Sequence, residues 1–223
     1  MTLPLELKKD PRLSDKLIAG ILILQNLNCQ KFNKELWSEI NKLEDHYRNE
    51  YDSPSEALEI LKPARDLYRA VGIEPTRIRP SSEALLRRII KGKPLYQINS
   101  IVDAGNLASV SFMLPIGLYD LSRIRGTVTF RLGREGESYS GIGKDQVNVS
   151  GRFTLADQEG PFGNPSSDSL RTSISLETRA ILLVIFAPEK YSLEKLQDHL
   201  IFSRNIFLSY HESGYSEYLD ILL

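Results

Sequence analysis

Residues 17 to 24 read LIAGILIL, eight apolar residues in succession. A run of that length is too short to cross a bilayer, which needs about 20 residues. It follows KKDPRLSDK, which carries both charge signs, and precedes NLNCQ, a poor cleavage site for a secretory leader. A continuous apolar run between polar flanks is expected of a buried strand, here over residues 16 to 24. Whatever the chain folds into has to cover that strand.

Downstream, Phe32, Leu36, Trp37, Ile40, Leu43 and Tyr47 recur at helical spacing and predict an amphipathic helix over 33–50. Ser53-Pro54-Ser55-Glu56 is a start signal, with Ser capping, Pro at the first position and Glu three residues on, so a short helix is expected there. Ala64, Leu67, Tyr68 and Val71 share a face and predict a helix near 62–71 that ends at Gly72. A further helix is expected over about 81–91, closed by Gly92, and another over 101–112, with Asn99 or Ser100 as its cap. After Gly126 the texture changes. TVTFRL, QVNV, RFTLA and the apolar run 180–186 read as strands, separated by Gly-, Asp- and Ser-rich turns. Residues 192 to about 211 predict a closing helix, and GYSEYLDILL after it is expected to fold onto the chain's own core. Helices, then strands, then a helix describe an α+β fold with a mainly antiparallel sheet. The expected organisation is an N-terminal strand and helices over 1–78, packed on a main domain over 79–223.

Cys29 is the single cysteine, so no internal disulfide can form, and a reducing cytosol is the expected setting. The net charge of −1 argues against a broadly basic nucleic-acid binder, but it hides a segregation. Residues 77–134 hold 10 Lys/Arg against 3 Asp/Glu, for +7, whereas 1–76 come to −2 and 135–223 to −6. The basic middle segment fits either an anionic partner or a solvated helix face.

His46, His199 and His211 fall on predicted outer helices, and no His-x-x-x-His pair or second cysteine accompanies them, so no metal or cofactor site is expected. No Gly-x-Ser-x-Gly elbow or Walker loop is present, and GIGK at 141–144 reads as a hairpin turn. Asp198 and His199 are adjacent on a helix and point about 100° apart, which disfavours a relay. The 101–112 helix is different. Asp103 and Asn106, three apart, lie close to one face, and if buried both need partners. Asp103 could pair with Arg87 or Arg88 and lock two helices. Asn106 could point into a pocket and bind a ligand amine or carbonyl, with Pro115 and Gly117 as a tight backbone wall; on their own those two residues are more often just a turn.

NSIVDAGNLASVSFMLPIGLYDLSRIRG, residues 99–126, resembles the helix and loop that open the fused third and fourth domain of the bacterial phenylalanyl-tRNA synthetase β subunit. That family shows Val-Asp-x-x-Asn, then a Pro two residues before a functional His, then Phe-Asp-Leu-x-Lys-(Ile/Leu)-x-Gly. This chain supplies Val102, Asp103, Asn106, Pro115, then Tyr119-Asp120-Leu121 with Arg123, Ile124 and Gly126. LADQEGPFG at 155–163 and SLETRAILLVIFAP at 175–188 resemble two of its strands, and RPSSEALLRRIIKGKP resembles the lead-in of free-standing relatives. The likeness covers roughly 79–188. The family His falls at Gly117, its strand Glu at Val184, and its Gly-Gly loop is replaced by PFGNPSSDSL.

The resemblance implies an editing site that hydrolyses a wrongly attached amino acid from tRNA, needed because an apolar pocket rejects an added hydroxyl only about 10²-fold. It implies a substrate pocket among Asn106, Pro115, Gly117, Thr172, Ser173, Ser175 and Thr178, with Arg79, Arg87, Arg88, Lys91 and Lys93 on RNA phosphates. The implied partner is tRNA or aminoacyl-tRNA, with no membrane involved. With no anticodon-binding or ligase core in the stretch at hand, the expectation is a free-standing editing-like hydrolase. A non-catalytic module for RNA, an aromatic amino acid or a small metabolite is the alternative.

Overall fold

The structure, a computed structural model, describes residues 5–223. The described elements run β1 (Leu7–Lys9), β2 (Leu17–Gln25), α1 (Lys34–Glu50), α2 (Lys62–Ala70), α3 (Ser81–Ile90), α4 (Ser100–Phe112), β3 (Ile116–Asp120), β4 (Val128–Leu132), β5 (Ser138–Gly141), β6 (Lys144–Asn148), β7 (Phe153–Asp157), β8 (Gly160–Asn164), β9 (Ser167–Asp168), β10 (Ile181–Pro188), α5 (Leu193–Tyr210) and β11 (Tyr215–Leu222). The fold is α+β. Among the described strands every pairing is antiparallel except β1 with β4.

Two sheets form the centre. One has the order β11-β2-β10-β3, the other β1-β4-β7-β8-β9. Successive side chains of a strand point to opposite faces. Ile18, Leu22 and Leu24 of β2, with Ile181, Leu183 and Ile185 of β10, pack beneath α1, α3, α4 and α5. Leu17, Ala19, Ile21 and Ile23, with Leu182, Val184 and Phe186, pack against Phe130, Phe153, Leu155 and Phe162 of the second sheet and against Leu67 and Tyr68 of α2. Both faces of β2 and β10 are therefore covered, which is why each reads as an unbroken apolar run. β2 lies between β11 and β10, so the first 78 residues contribute a strand to the interior of the sheet completed by residues 181–222.

The helix caps follow the sequence signals. Asn33 Oδ1 accepts from Leu36 N at 3.0 Å, and Asn99 Oδ1 from Val102 N at 3.0 Å. The Ser53 signal yields one short 3-10 turn, Glu56–Leu58, with Ser53 Oγ donating to Glu56 at 2.8 Å. GIGK is the tip of the β5–β6 hairpin.

Three expectations need correction. Residues 115–117 are not a turn: the chain reverses at Met113, in the left-handed region at φ 57°, and β3 starts at Ile116. Asp103 does not meet Arg87 or Arg88; it accepts from Trp37 Nε1 at 2.8 Å and Ile98 N at 3.0 Å, tying α4 to α1 and to the segment before it. Burial still pushes its carboxyl above the usual value, against those hydrogen bonds. His211 is buried rather than on an outer face. It lies 2.8 Å from the Phe207 carbonyl through Nδ1 and 2.9 Å from Ser100 Oγ through Nε2. A carbonyl only accepts, so Nδ1 carries the proton and Ser100 donates to Nε2. The pair fastens the end of α5 to the start of α4.

Candidate functional site

Helix α4 offers two neighbouring faces. One carries Asp103 toward α1. The other carries Val102, Asn106 and Ser109, one helical turn apart, into a cleft of about 260 Å³. Ser81 and Leu85 of α3 form a second wall, and Ile116 and Leu118 of β3 a third. Asp168, Ser173 and Ile174 complete the lining, with the exposed Ile98, Ile142 and Leu170 at the rim.

The cleft is mostly apolar, and its few polar groups are distinct in character. The Asn106 amide makes no hydrogen bond to another described residue. Ser81 Oγ is buried without a partner. Ser109 and Ser173 spend their hydroxyl protons on the carbonyls of Leu114 and Leu170, at 2.8 and 2.9 Å. Asp168 is the cleft's carboxylate. Burial pushes it up to about 7, against the lowering influence of the neighbouring Tyr119 hydroxyl and the Leu118 N–H. Tyr119 is in turn driven well above its ordinary value, by its own burial first and by Asp168 second.

A carboxyl whose folded value is raised binds a proton in the native state that the unfolded chain has already lost. Stability therefore falls as pH rises from about 4 to about 7. Asp168→Asn removes that fall. The full shift corresponds to roughly 4 kcal/mol, and partial exposure to the cleft cuts it to about 2 kcal/mol. Urea titrations at pH 5 and pH 8 should show the variant gaining on the parent by clearly more at the higher pH; the same difference in midpoint at both pH values would contradict the assignment. A residue that destabilises its own protein at neutral pH while lining a cleft is a candidate for function.

Of the other residues implied by the resemblance, Asn106 and Ser173 reach this cleft and five do not. Pro115 is buried, with its carbonyl accepting from Phe186 N at 3.0 Å. Gly117 faces the opposite side of β3, against the Tyr119 ring, and stands in register with Val184. Thr172 shares a 3.0 Å contact with Ser169 Oγ, and Thr178 donates to Asp120 Oδ2 at 2.6 Å. Ser175 caps locally on Glu177. Asp168 and Ser81 were not legible as site residues. Asp168 sits in a Ser-rich stretch with turn composition, and its burial depends on β3, some 50 residues earlier in the chain.

The five basic residues converge. Arg79, Arg87, Arg88, Lys91 and Lys93 line one shallow groove of about 300 Å³ along α3. Arg87 is anchored by Glu83 at 2.7 Å, and the Arg88 guanidinium stacks 3.8 Å over the exposed Tyr96 ring. Arg79, Lys91 and Lys93 are exposed and make no ion pair with a described residue. Among the described residues no group of three His, Cys, Asp or Glu could hold a metal ion, and no helix is long and apolar enough to cross a membrane.

The profile of the B3/4 domain matches residues 63–205. The phenylalanine–tRNA ligase β subunit of Fusobacterium nucleatum is 29% identical over 131 residues, covering 55% of this chain and 16% of that protein. The corresponding subunit of Paramagnetospirillum magneticum is 32% identical over 68 residues, covering 30% of this chain and 8% of that protein. The chain thus spans a small part of these relatives. An N-terminal fragment of the phenylalanyl-tRNA synthetase β subunit from Pyrococcus horikoshii superposes on 98% of this chain and 54% of its own, with a TM-score of 0.51 and 12% identity, a likeness of fold.

Proposed function

We propose, since this chain belongs to the B3/4 domain family, that it binds the aminoacylated end of a tRNA and hydrolyses a wrongly attached amino acid in trans. The observation that carries this reading is helix α3. Its Ser81 and Leu85 wall the cleft, while its Arg87 and Arg88 wall the basic groove. Tyr96 and Ile98 run between the two, with Tyr96 under Arg88 and Ile98 at the cleft mouth. Phosphates in the groove would leave an attached aminoacyl group at the cleft. There the Asn106 amide is free to donate to the ester carbonyl, and a water, activated by the ribose hydroxyl of the substrate, would attack it.

Two measurements test this. The tRNA affinity should drop by about 0.9 log unit per log unit of salt for each phosphate neutralised. Replacing Lys91 and Lys93 together by Gln should reduce that slope by about 2. A flat salt dependence would sink the reading. Hydrolysis of a panel of labelled aminoacyl-tRNAs should fall about 100-fold in Asn106→Ala.

A non-catalytic module is the second reading, and one observation favours it. Gly117 and Val184, the positions of the family's His and Glu, pack with Tyr119 in the dry space between the sheets. Binding without turnover across the whole panel would select it.

A further inference from the structure

We infer that the cleft selects a free α-ammonium: Asp168 is the counter-ion for the amino group of an apolar aminoacyl moiety, Asn106 holds its acyl oxygen, and N-acylated forms are excluded. This rests on the reading of the cleft as an aminoacyl site and adds the form of substrate it accepts.

The argument begins with an unbalanced charge. The influences on the Asp168 carboxyl are burial, a phenol and a backbone N–H, with no cation among them. Other buried carboxylates here are satisfied, Glu83 by Arg65 and Arg87, Asp157 by Arg171, and Asp103, without a cation, by the Trp37 Nε1 and Ile98 N–H donors. A carboxylate withdrawn from water is costly unless paired, and the missing partner of Asp168 is a cation supplied from the cleft.

The rest of the lining says what carries that cation. Among the described residues the lining adds Leu85, Val102, Ile116, Leu118 and Leu170 and no second charge, so a guanidinium or lysine head with a polar neighbour is poorly matched. The unpartnered Asn106 amide supplies a donor for one carbonyl oxygen. One anion, one amide, the unpartnered Ser81 hydroxyl and otherwise aliphatic walls are the complement of an ammonium, an acyl oxygen and an apolar side chain. About 260 Å³ lies just under the usual range for small-molecule sites, which suits an amino acid better than a nucleotide. Acylating the nitrogen removes the charge that Asp168 would pair with and adds bulk beside the carboxylate.

Asp168 also sets the pH range. Its charge acts on Tyr119 of β3, Tyr139 of β5 and Tyr68 of α2. Burial pushes all three phenols up, so they stay neutral where Asp168 titrates, near 7. Affinity for an ammonium should rise as the carboxylate forms and fall as the amine loses its proton at roughly 7.7–8.0, giving a bell near neutral pH.

The test uses leucinamide and N-acetyl-leucinamide, which contain no tRNA, titrated into the full chain by calorimetry. Leucinamide should bind roughly 10- to 100-fold more tightly than the acetylated form. Asp168→Asn should remove that preference by weakening leucinamide toward the level of the acetylated form; the variant is expected to fold, since it gains stability at pH 8. Equal affinity for the two amides, no leucinamide binding, or an unaltered preference in Asp168→Asn would each overturn the inference. Leucinamide binding through Asp168 together with a flat tRNA salt dependence would remove the tRNA reading and leave this one standing.

Discussion

Gly117→Ala should destabilise the protein by about 3 kcal/mol, the upper end of what overpacking a core costs. A Cβ at this position would stand 2.2 Å from the Tyr119 hydroxyl oxygen and 2.7 Å from Cζ. A side chain that could swing aside would absorb this, but Tyr119 is fully buried. Gly117 lies against the Cε2 edge of the ring, and Gly163 against the Cε1 edge, where a Cβ would come within 2.5 Å. The phenol fills a slot cut by two glycines, with Phe162 edge-on at 5.0 Å. Neither glycine is needed for a left-handed backbone; each is needed for what it lacks. Urea unfolding of Gly117→Ala, Tyr119→Leu and the double variant gives a cycle with a coupling of about 2 kcal/mol, because Tyr119→Leu removes the atoms the new methyl would strike. A Gly117→Ala variant within about 0.5 kcal/mol of the parent would show that the ring can relocate.

The same slot explains what could and could not be read from the sequence. The resemblance placed a histidine of the family at position 117 and a phenylalanine at 119, and this chain has Gly and Tyr. Those differences are one structural fact, since a side chain at 117 and a hydroxyl on 119 compete for the same volume, and the hydroxyl is what borders Asp168. Sequence reading offered Gly117 as a pocket wall or as part of a turn, the latter because a Pro-x-Gly stretch after a helix has turn composition. Only the packing of β3 against the second sheet shows otherwise. Of the strands that were legible, β2 and β10 announce themselves by burial on both faces, and β4, β6 and β7 by short β-branched and aromatic runs between turns. β11 did not, because as an edge strand it is only partly buried and its pattern carries no strong alternation. Asn106 was legible as a polar residue on an otherwise apolar helix face. Thr172 and Thr178 have the same hydroxyl chemistry as a pocket residue, but their hydrogen bonds go to Ser169 and Asp120, and that expenditure leaves no trace in the sequence.

Glu83→Gln should cost about 3 kcal/mol, at the low end for breaking a buried ion pair, because both cationic partners retain some access to water. The Glu83 side chain is completely buried on α3. Arg65 of α2 meets it through two nitrogens, each at 2.8 Å, and Arg87 joins from one turn further along α3 at 2.7 Å. Burial alone pushes the Glu83 carboxyl up; the hydrogen bonds and charges of the two arginines outweigh it and hold the group below its usual value. A depressed carboxyl stabilises the fold above its unfolded value of 4.5 and loses that contribution as pH falls through the folded one. The gap between parent and Glu83→Gln should thus be widest at neutral pH and close as pH falls through that lowered folded value; like the Asp168→Asn difference it opens as pH rises, but here the parent is the more stable protein. The functional consequence follows from position. Glu83 fixes the rotation of the helix whose one side lines the cleft and whose other side lines the basic groove. Releasing Arg87 and loosening α3 should weaken leucinamide binding as well as tRNA binding, whereas Lys91→Gln with Lys93→Gln should weaken tRNA binding alone. Loss of tRNA affinity in Glu83→Gln with leucinamide affinity intact would mean that the groove and the cleft are held independently.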